Sequence, residues 1–163
     1  MSVKNISRTA VALAIIALGA ATAQAQTATQ TVTYAVNAIN QIAFAGSPTL
    51  TITTAVAGSA PTSVSNATST WAVTTNQTGA KITASIPTNM PTGLTLSVNL
   101  TAPATAASTG YQSLSTVPVD VVTTLTKLNQ ASLAVTYKLD ATAGAGVVAS
   151  SSRVVTYTIT GGT

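Results

Sequence analysis

The sequence contains no cysteine, no histidine and no glutamate, and Asp120 and Asp140 are its only acidic residues. Without cysteine no disulfide can form, so the stability of the fold rests on packing and hydrogen bonds. Without histidine or cysteine the usual ligands of zinc and other transition metals are missing. The clustered carboxylates of a D-x-D calcium site are missing as well. We therefore predict that the protein binds no metal and no other cofactor.

Groups that could carry acid–base or nucleophilic chemistry are equally scarce. Acid–base catalysis relies on histidine, paired carboxyls or a tuned lysine, and a serine nucleophile needs a base beside it. No G-x-S-x-G sequence occurs, and we expect Asp120 and Asp140 to lie in turns or on polar strand faces. The sequence thus predicts that the protein is not an enzyme. Two alternatives stay open: a serine paired with Lys81, Lys127 or Lys138, and a hydrolase pocket that gathers an aspartate with a lysine.

Charge of either sign is rare, since only 5% of the residues are charged against about 25% in an average protein. Nucleic-acid binding requires clustered lysine and arginine. Beyond the first 25 residues the basic side chains are scattered over Lys81, Lys127, Lys138 and Arg153, so we predict no nucleic-acid partner. Because 46% of the residues are hydrophobic but only 4% are aromatic, the chain can build a core, although a slim one.

Residues 1–25 have the three parts of a secretory signal peptide. Lys4 and Arg8 form the positive region, an apolar run follows, and Ala23-Gln24-Ala25 is an A-x-A cleavage site. The apolar run is shorter than the about 20 residues that span a bilayer, which favours a cleaved leader over a single N-terminal anchor. We therefore expect a mature chain that starts at Gln26.

The leader also predicts where the protein works and how it is organised. Residues 26–163 contain no second apolar segment, so we predict a single domain without an integral membrane span. Export places this domain outside the cell or on its surface, with the periplasm as the alternative.

Apolar and polar residues alternate with a period of two along the mature chain, which predicts strands. Leu94–Leu100 is the clearest example, and Asn76–Gly79 has the composition of a hairpin turn. A long loop of small residues surrounds Tyr111. The other predicted strands are 49–54, 68–75, 80–86, 119–126, 132–139 and 153–160. Together they predict an all-β, antiparallel β-sandwich of about 7–9 strands, immunoglobulin-like or jelly-roll-like.

The apolar faces of these strands define a predicted core. An aromatic residue such as Trp71 anchors many sandwich cores, and the alternative for it is a platform on which a sugar ring stacks. The predicted core residues are Trp71, Val73, Ile82, Leu96, Val98, Tyr137 and Tyr157.

The first stretch after the leader, TVTYAVNAINQIAF at 31–44, is longer than an ordinary strand. Its alternation fails at 37–41, so we expect two strands, 31–36 and 42–44, joined by a kink or bulge. The first half is a candidate for strand exchange between molecules, and it consists of Thr31, Val32, Thr33, Tyr34, Ala35 and Val36.

The tripeptide Val-Thr-Tyr occurs three times, at 32–34, 135–137 and 155–157, each time with the tyrosine on the apolar face. One interpretation is a stacked aromatic ladder, or equivalent strands that are exchanged between subunits. The other is that valine, threonine and tyrosine are simply favoured in strands.

The A-x-A leader, the amphipathic N-terminal strand, the Thr/Ala/Val-rich strands and the closing strand Arg153–Thr160 resemble small exported bacterial surface proteins of the pilus- or fibre-subunit type. The resemblance implies a non-enzymatic structural or adhesive protein. It also implies that the N-terminal strand of one subunit completes the sheet of the next, so that the partners are copies of the chain or other surface proteins. The alternative is an extracellular module that binds polysaccharide or another ligand.

Overall fold

A computed structural model describes residues 24–163 of the chain. The predicted leader therefore lies outside the described residues, apart from its last two. Among the described residues, Val36–Thr163 forms a compact unit that is separate from the residues before it. Residues 24–39 form no strand or helix, and every one of them is exposed to solvent.

Val36–Thr163 folds as antiparallel strands, so the all-β, antiparallel class predicted from the sequence is confirmed. Apart from the strands, the described residues contain a single turn of 3-10 helix at Ala143–Ala145. The strands are β1 Asn40–Ala45, β2 Val64–Ser85, β3 Leu94–Leu100, β4 Ala107–Ser108, β5 Gln112–Ser113, β6 Val119–Ala141 and β7 Thr156–Thr160.

Two long strands, β2 and β6, pair along most of their length and form the middle of the sheet. β1 and β7 both pair with β2, β1 along its first half and β7 along its last residues. β3 and β4 pair with β6, and β5 pairs with β3. The sheet therefore has β1 and β7 on one side of the central pair and β3, β4 and β5 on the other.

The central pair is sharply bent. Phe44 pairs with Trp71 and Tyr157 pairs with Ala84, which lie 13 residues apart along β2. In a straight strand this is a distance of about 43 Å, at about 3.3 Å per residue. The rings of Phe44 and Tyr157 nevertheless stack with centroids 3.8 Å apart. The two halves of β2 must therefore face each other, which supports the two-layered sandwich; that arrangement stays a prediction.

The bend corrects the predicted hairpin at Asn76–Gly79, because β2 runs through these residues as one strand. Register shifts in the β2–β6 pairing occur at this point, and Gly79 takes a φ of 77°. Residues 119–126 and 132–139 likewise belong to one strand, β6, in which Lys127 has a φ of 41°. Irregular residues that look like turns in the sequence act here as bulges within continuous strands.

Two predicted strands do not form. Thr31–Val36 has no strand partner among the described residues. Residues 49–54 are irregular, and the carbonyl of Thr49 accepts a hydrogen bond from the side-chain amide of Asn66 at 3.2 Å. The chain leaves β1 at Gly46, which has a φ of 104° and lies too close to Ser69 to carry a Cβ. Leu94–Leu100, in contrast, is a strand with the predicted bounds.

One apolar core joins both halves of β2. Trp71 is 1% exposed, so it packs in the interior and offers no platform to a sugar. Tyr137 and Tyr157 pack against this core but are only partly buried. The other predicted core residues, Val73, Ile82, Leu96 and Val98, are all buried.

Candidate self-association site

The outer strands of the sheet fall into two kinds. β4 and β5 have two residues each, whereas β1 has six and β7 has five. Each of β1 and β7 pairs with β2 alone among the described residues, so one edge of each is free. We call β1, residues 155–160 and the apolar side chains they turn toward the core the open side.

The free edges of the open side carry none of the usual protection. Natural edge strands avoid pairing with other molecules through charged residues, proline, bulges or very short length. β1 has the sequence NQIAFA and β7 has the sequence TYTIT, without a charge or a proline. Their registers against β2 show no bulge. Both edges are therefore competent to accept a further strand.

The core is incomplete at the open side. Ile159 pairs directly with Ile82 on β2, and Ile82 is 0% exposed whereas Ile159 is only partly buried. The same partial burial holds for all the apolar side chains that the open side turns inward, namely Ile42, Phe44, Val155, Tyr157 and Ile159. These side chains contact both the core and water. A further strand that covered them would remove apolar surface from water, which lowers the free energy.

Aromatic rings stack against one another at the open side. Phe44 stacks between Tyr157, at 3.8 Å, and Trp71, at 6.0 Å between ring centroids. The hydroxyls of Tyr137 and Tyr157 lie 2.7 Å apart, so one donates a hydrogen bond to the other. Burial raises the pKa of both phenols above the usual tyrosine range, and in Tyr157 the hydrogen bond to Tyr137 raises the pKa further. Both phenols therefore stay neutral at ordinary pH.

The candidate strand-exchange segment, Thr31–Val36, is exposed throughout. Its three larger apolar side chains are spaced two residues apart, and Val32 is 72%, Tyr34 90% and Val36 80% exposed. A run of alternating exposed apolar side chains without a strand partner is a template for pairing with another chain. The segment thus has a strand pattern without a partner, and the open side has strand edges without a partner among the described residues.

Asn76 fixes the chain between this segment and β1. Its side-chain amide donates a hydrogen bond to the carbonyl of Asn37, and its side-chain oxygen accepts one from the N–H of Ile39, both at 2.8 Å. Its backbone N–H also donates to the carbonyl of Ile39 at 3.2 Å. Residues 37–39 are thereby held in line with β1 alongside β2, and they make no reversal toward the free edge of β1.

The two acidic residues lie near opposite ends of β6 and each contacts a lysine. Asp120 pairs with Lys81 at 2.9 Å, and Asp140 pairs with Lys138 at 3.0 Å. The hydroxyl of Ser63 donates a hydrogen bond to Asp140, and this bond, ahead of Lys138, lowers the pKa of the carboxyl. Residues 24–163 include no cluster of three acidic, histidine or cysteine side chains. No helix within this described part of the chain is long and apolar enough to cross a membrane.

A shallow depression of about 230 Å³ lies beside Tyr111, on the loop that carries β4 and β5. Tyr111 is 47% exposed, and the depression is otherwise lined by Ser63, Val64, Ser65 and Lys138. The loop is held by hydrogen bonds, among them one from the Gln112 amide to the Thr109 carbonyl at 2.9 Å. An exposed ring beside serine hydroxyls and a lysine is an arrangement that suits a sugar.

The sequence reasoning identified the segment 31–36 but not the surface that could receive it. A signal was present, because the residues of β1 and β7 include no charged side chain. That absence means little in a chain with 5% charged residues, so only the pairing of the strands reveals which edges are free. Comparison of the chain with protein-family models, with curated proteins and with solved structures found no match.

Proposed function

We propose that the protein is a non-enzymatic structural or adhesive protein of the cell surface that associates with its own kind through its N-terminal strand. The observation that carries this proposal is the open side, where two unprotected strand edges and a half-buried apolar surface remain in the folded domain. A monomer that kept such a surface exposed would be prone to aggregation. Strand addition between copies turns this property into a means of assembly.

Export completes the proposal. A surface protein must leave the cytoplasm, and residues 1–25 supply a leader of the expected composition. The intact mass of the protein recovered from the cell exterior or periplasm tests this step. We expect a chain that starts at Gln26, and recovery of the uncleaved chain from the cytoplasm would contradict the proposal.

Association is tested by comparing the natural protein with a variant that lacks residues 26–36. We expect the natural protein to form species that grow with concentration in sedimentation velocity, and short fibres or oligomers in negative-stain electron microscopy. The shortened variant should stay monomeric and unfold at nearly the same denaturant concentration, because the deleted residues are exposed.

A matched control keeps the length of the chain. Replacing Val32, Tyr34 and Val36 together by threonine preserves the tendency to form a strand but removes the apolar face. We expect this variant to be monomeric too. A natural protein that stays monomeric at high concentration, or a deletion that only unfolds the domain, would refute assembly through this strand.

A second function, binding of an extracellular polysaccharide, is favoured by the depression beside Tyr111. Stacking on an exposed aromatic ring and hydrogen bonding to serine hydroxyls are a common way to hold a neutral sugar. A panel of neutral polysaccharides, assayed by affinity electrophoresis, tests this function. Retardation that Tyr111→Ala abolishes would support it, and no retardation by any polysaccharide in the panel would count against it.

A further inference from the structure

We propose that β7 is the acceptor strand: Thr31–Val36 of one copy pairs with the free edge of β7 in another copy, and Val32, Tyr34 and Val36 enter its open side. This inference rests on the proposed self-association and specifies the surface on which it occurs. The choice of β7 over β1, and of a second copy over the same chain, follows from the positions of a few side chains.

The alternation of side chains in the segment resembles that of residues 155–160, which include β7. Val155, Tyr157 and Ile159 point inward at intervals of two residues, and the exposed apolar side chains at positions 32, 34 and 36 of the segment have the same spacing. Threonine alternates with them on the outer face of both, at 31 and 33 in the segment and at 156, 158 and 160 in β7. Paired strands with these residues would place threonines opposite threonines, a favourable cross-strand pairing.

β1 offers a poorer match. It turns Ile42 and Phe44 inward, but its third inward position is Asn40. The side chain of Asn40 is already engaged, since its oxygen accepts a hydrogen bond from the Thr75 hydroxyl at 2.7 Å. An apolar side chain of the segment would therefore meet a polar group at one of the three inward positions of β1, which makes burial there less favourable.

The repeated Val-Thr-Tyr tripeptide supports the same choice. Two of its three tyrosines, Tyr137 and Tyr157, are partly buried and joined through their hydroxyls at 2.7 Å. Tyr34 is 90% exposed. Tyrosine is well suited to a surface that is exposed in the monomer and buried in a complex, because it combines a large ring with a polar tip. Placement of Tyr34 beside Tyr157 would bury the third ring next to the other two.

Asn76 favours a second copy over a fold-back onto β1. The two 2.8 Å hydrogen bonds from its side chain hold residues 37–39 in line with β1, where a hairpin would need a tight reversal. The donor segment ends immediately before these clamped residues, which leaves no spare linker for that reversal. A segment from another molecule has no such constraint. Because donor and acceptor are different surfaces, each added copy leaves one of each free, and the contact propagates into an open chain.

Engineered disulfides test the acceptor directly, because the natural chain has no cysteine. Thr33→Cys in the segment and Thr158→Cys in β7 are exposed positions on the outer faces. Opposite residues of paired strands lie within the Cα distance that a disulfide spans. The two single variants are mixed, oxidised and separated on non-reducing gels, with mass spectrometry to identify the products. Thr156→Cys and Thr160→Cys extend the series to find the register.

Two matched acceptors serve as controls, Ala43→Cys on β1 and Ser113→Cys on β5, both exposed on outer strands. We expect Thr33→Cys to form mixed dimers with the β7 series at least tenfold more efficiently than with either control. If Thr33→Cys cross-linked mainly to Ala43→Cys, or equally to all positions, the assignment to β7 would be wrong. Oligomers seen in sedimentation would then still support the proposed self-association. A Thr33→Cys/Thr158→Cys double variant that forms only an internal disulfide would show pairing within one chain and overturn the exchange. Absence of both cross-links and oligomers would refute the proposed function as well.

Discussion

The inner strands and the open side contribute to one core, but their inward side chains are buried to different degrees. Val98 on β3 and Val122, Leu125 and Val135 on β6 are 0% exposed. On β1 and β7 the inward apolar side chains, Ile42, Phe44, Tyr157 and Ile159, all remain partly exposed. The two-residue strands β4 and β5 lie on one side of the central pair, whereas the longer strands β1 and β7 lie on the other and each pair with β2 alone among the described residues. The comparison shows that burial is complete at these positions of β3 and β6 and only partial on β1 and β7.

We expect the largest difference in stability between the two regions when two isoleucines, paired across neighbouring strands, are each truncated. Truncation of a fully buried isoleucine costs about 2–5 kcal/mol, so Ile82→Ala should lower the free energy of unfolding by this amount. Ile159→Ala, its cross-strand partner on β7, should lower that free energy by less than half as much in the monomer, because it is only partly buried. Urea denaturation at low protein concentration measures both changes. Equal losses would show that the open side is as well packed as the interior.

Substitution of two equally exposed valines distinguishes the role of the segment from that of the rest of the surface. Val32 is 72% and Val56 69% exposed, so Val32→Asp and Val56→Asp make the same chemical change. Burial of a valine is worth about 1.5 kcal/mol or more, so we expect Val32→Asp to weaken association at least about tenfold. Val56→Asp should leave association unchanged, as measured by the concentration dependence of sedimentation. Equal weakening by both changes would mean that general hydrophobicity, and not this strand, drives association.

The tyrosine pair at the base of the open side should contribute less. Tyr157→Phe removes the hydrogen bond to Tyr137 and should cost about 1 kcal/mol of unfolding free energy. Both phenols have a pKa raised by burial, so the folded state keeps their protons where the unfolded chain releases them. Stability should therefore be fully present below about pH 10, the unfolded value, and fall as the pH rises above it.

Denaturation of the natural protein and of Tyr137→Phe/Tyr157→Phe between pH 8 and 12 checks this dependence. The double variant should lose less stability across that range than the natural protein does. Identical slopes would show that the two hydroxyls are not buried at the open side.

The smallest effect belongs to the polar surface. Asp140 has a pKa lowered first by the Ser63 hydroxyl and also by Lys138, so its contribution to stability is present above about pH 3.9 and is lost as the pH falls through the folded value. Surface ion pairs are worth about 0–1 kcal/mol, so Asp140→Asn should change the unfolding free energy little at pH 7. Ser63→Ala should reduce the pH dependence below pH 4 by removing the first cause of the shift. A loss of several kcal/mol from Asp140→Asn would contradict this ranking.

The sequence predicts which face of a strand is buried better than it predicts where a strand ends or bends. Trp71 and Val73 lie two residues apart on β2 and are both buried, as their alternation with Thr70 and Thr74 indicates. The irregular residues Asn76–Gly79 carry the composition of a turn, and their local preferences are satisfied equally well by a bend. The choice between the two depends on β6, which pairs along both halves of β2 and lies far away in the chain.

The open side could not be predicted from the sequence for a related reason. Tyr157 on β7 and Trp71 on β2 both lie in alternating stretches, and nothing local distinguishes an edge strand from a central one. Which strand lies at an edge is decided by the pairing of the whole sheet. Thr31–Val36 was recognisable because a strand pattern needs a partner wherever it occurs. The pattern alone does not show whether the partner strand lies in the same domain or in another molecule.

Hydrogen exchange of the β7 backbone tests the central claim most directly, because half of the amides in an edge strand point away from its partner. The account predicts that the amides of Thr156–Thr160 that face the free edge exchange rapidly in dilute protein. They should become strongly protected at concentrations where the protein assembles, and deletion of residues 26–36 should abolish this protection. Exchange at the β7 edge that is independent of concentration, in a protein that nevertheless assembles, would contradict it.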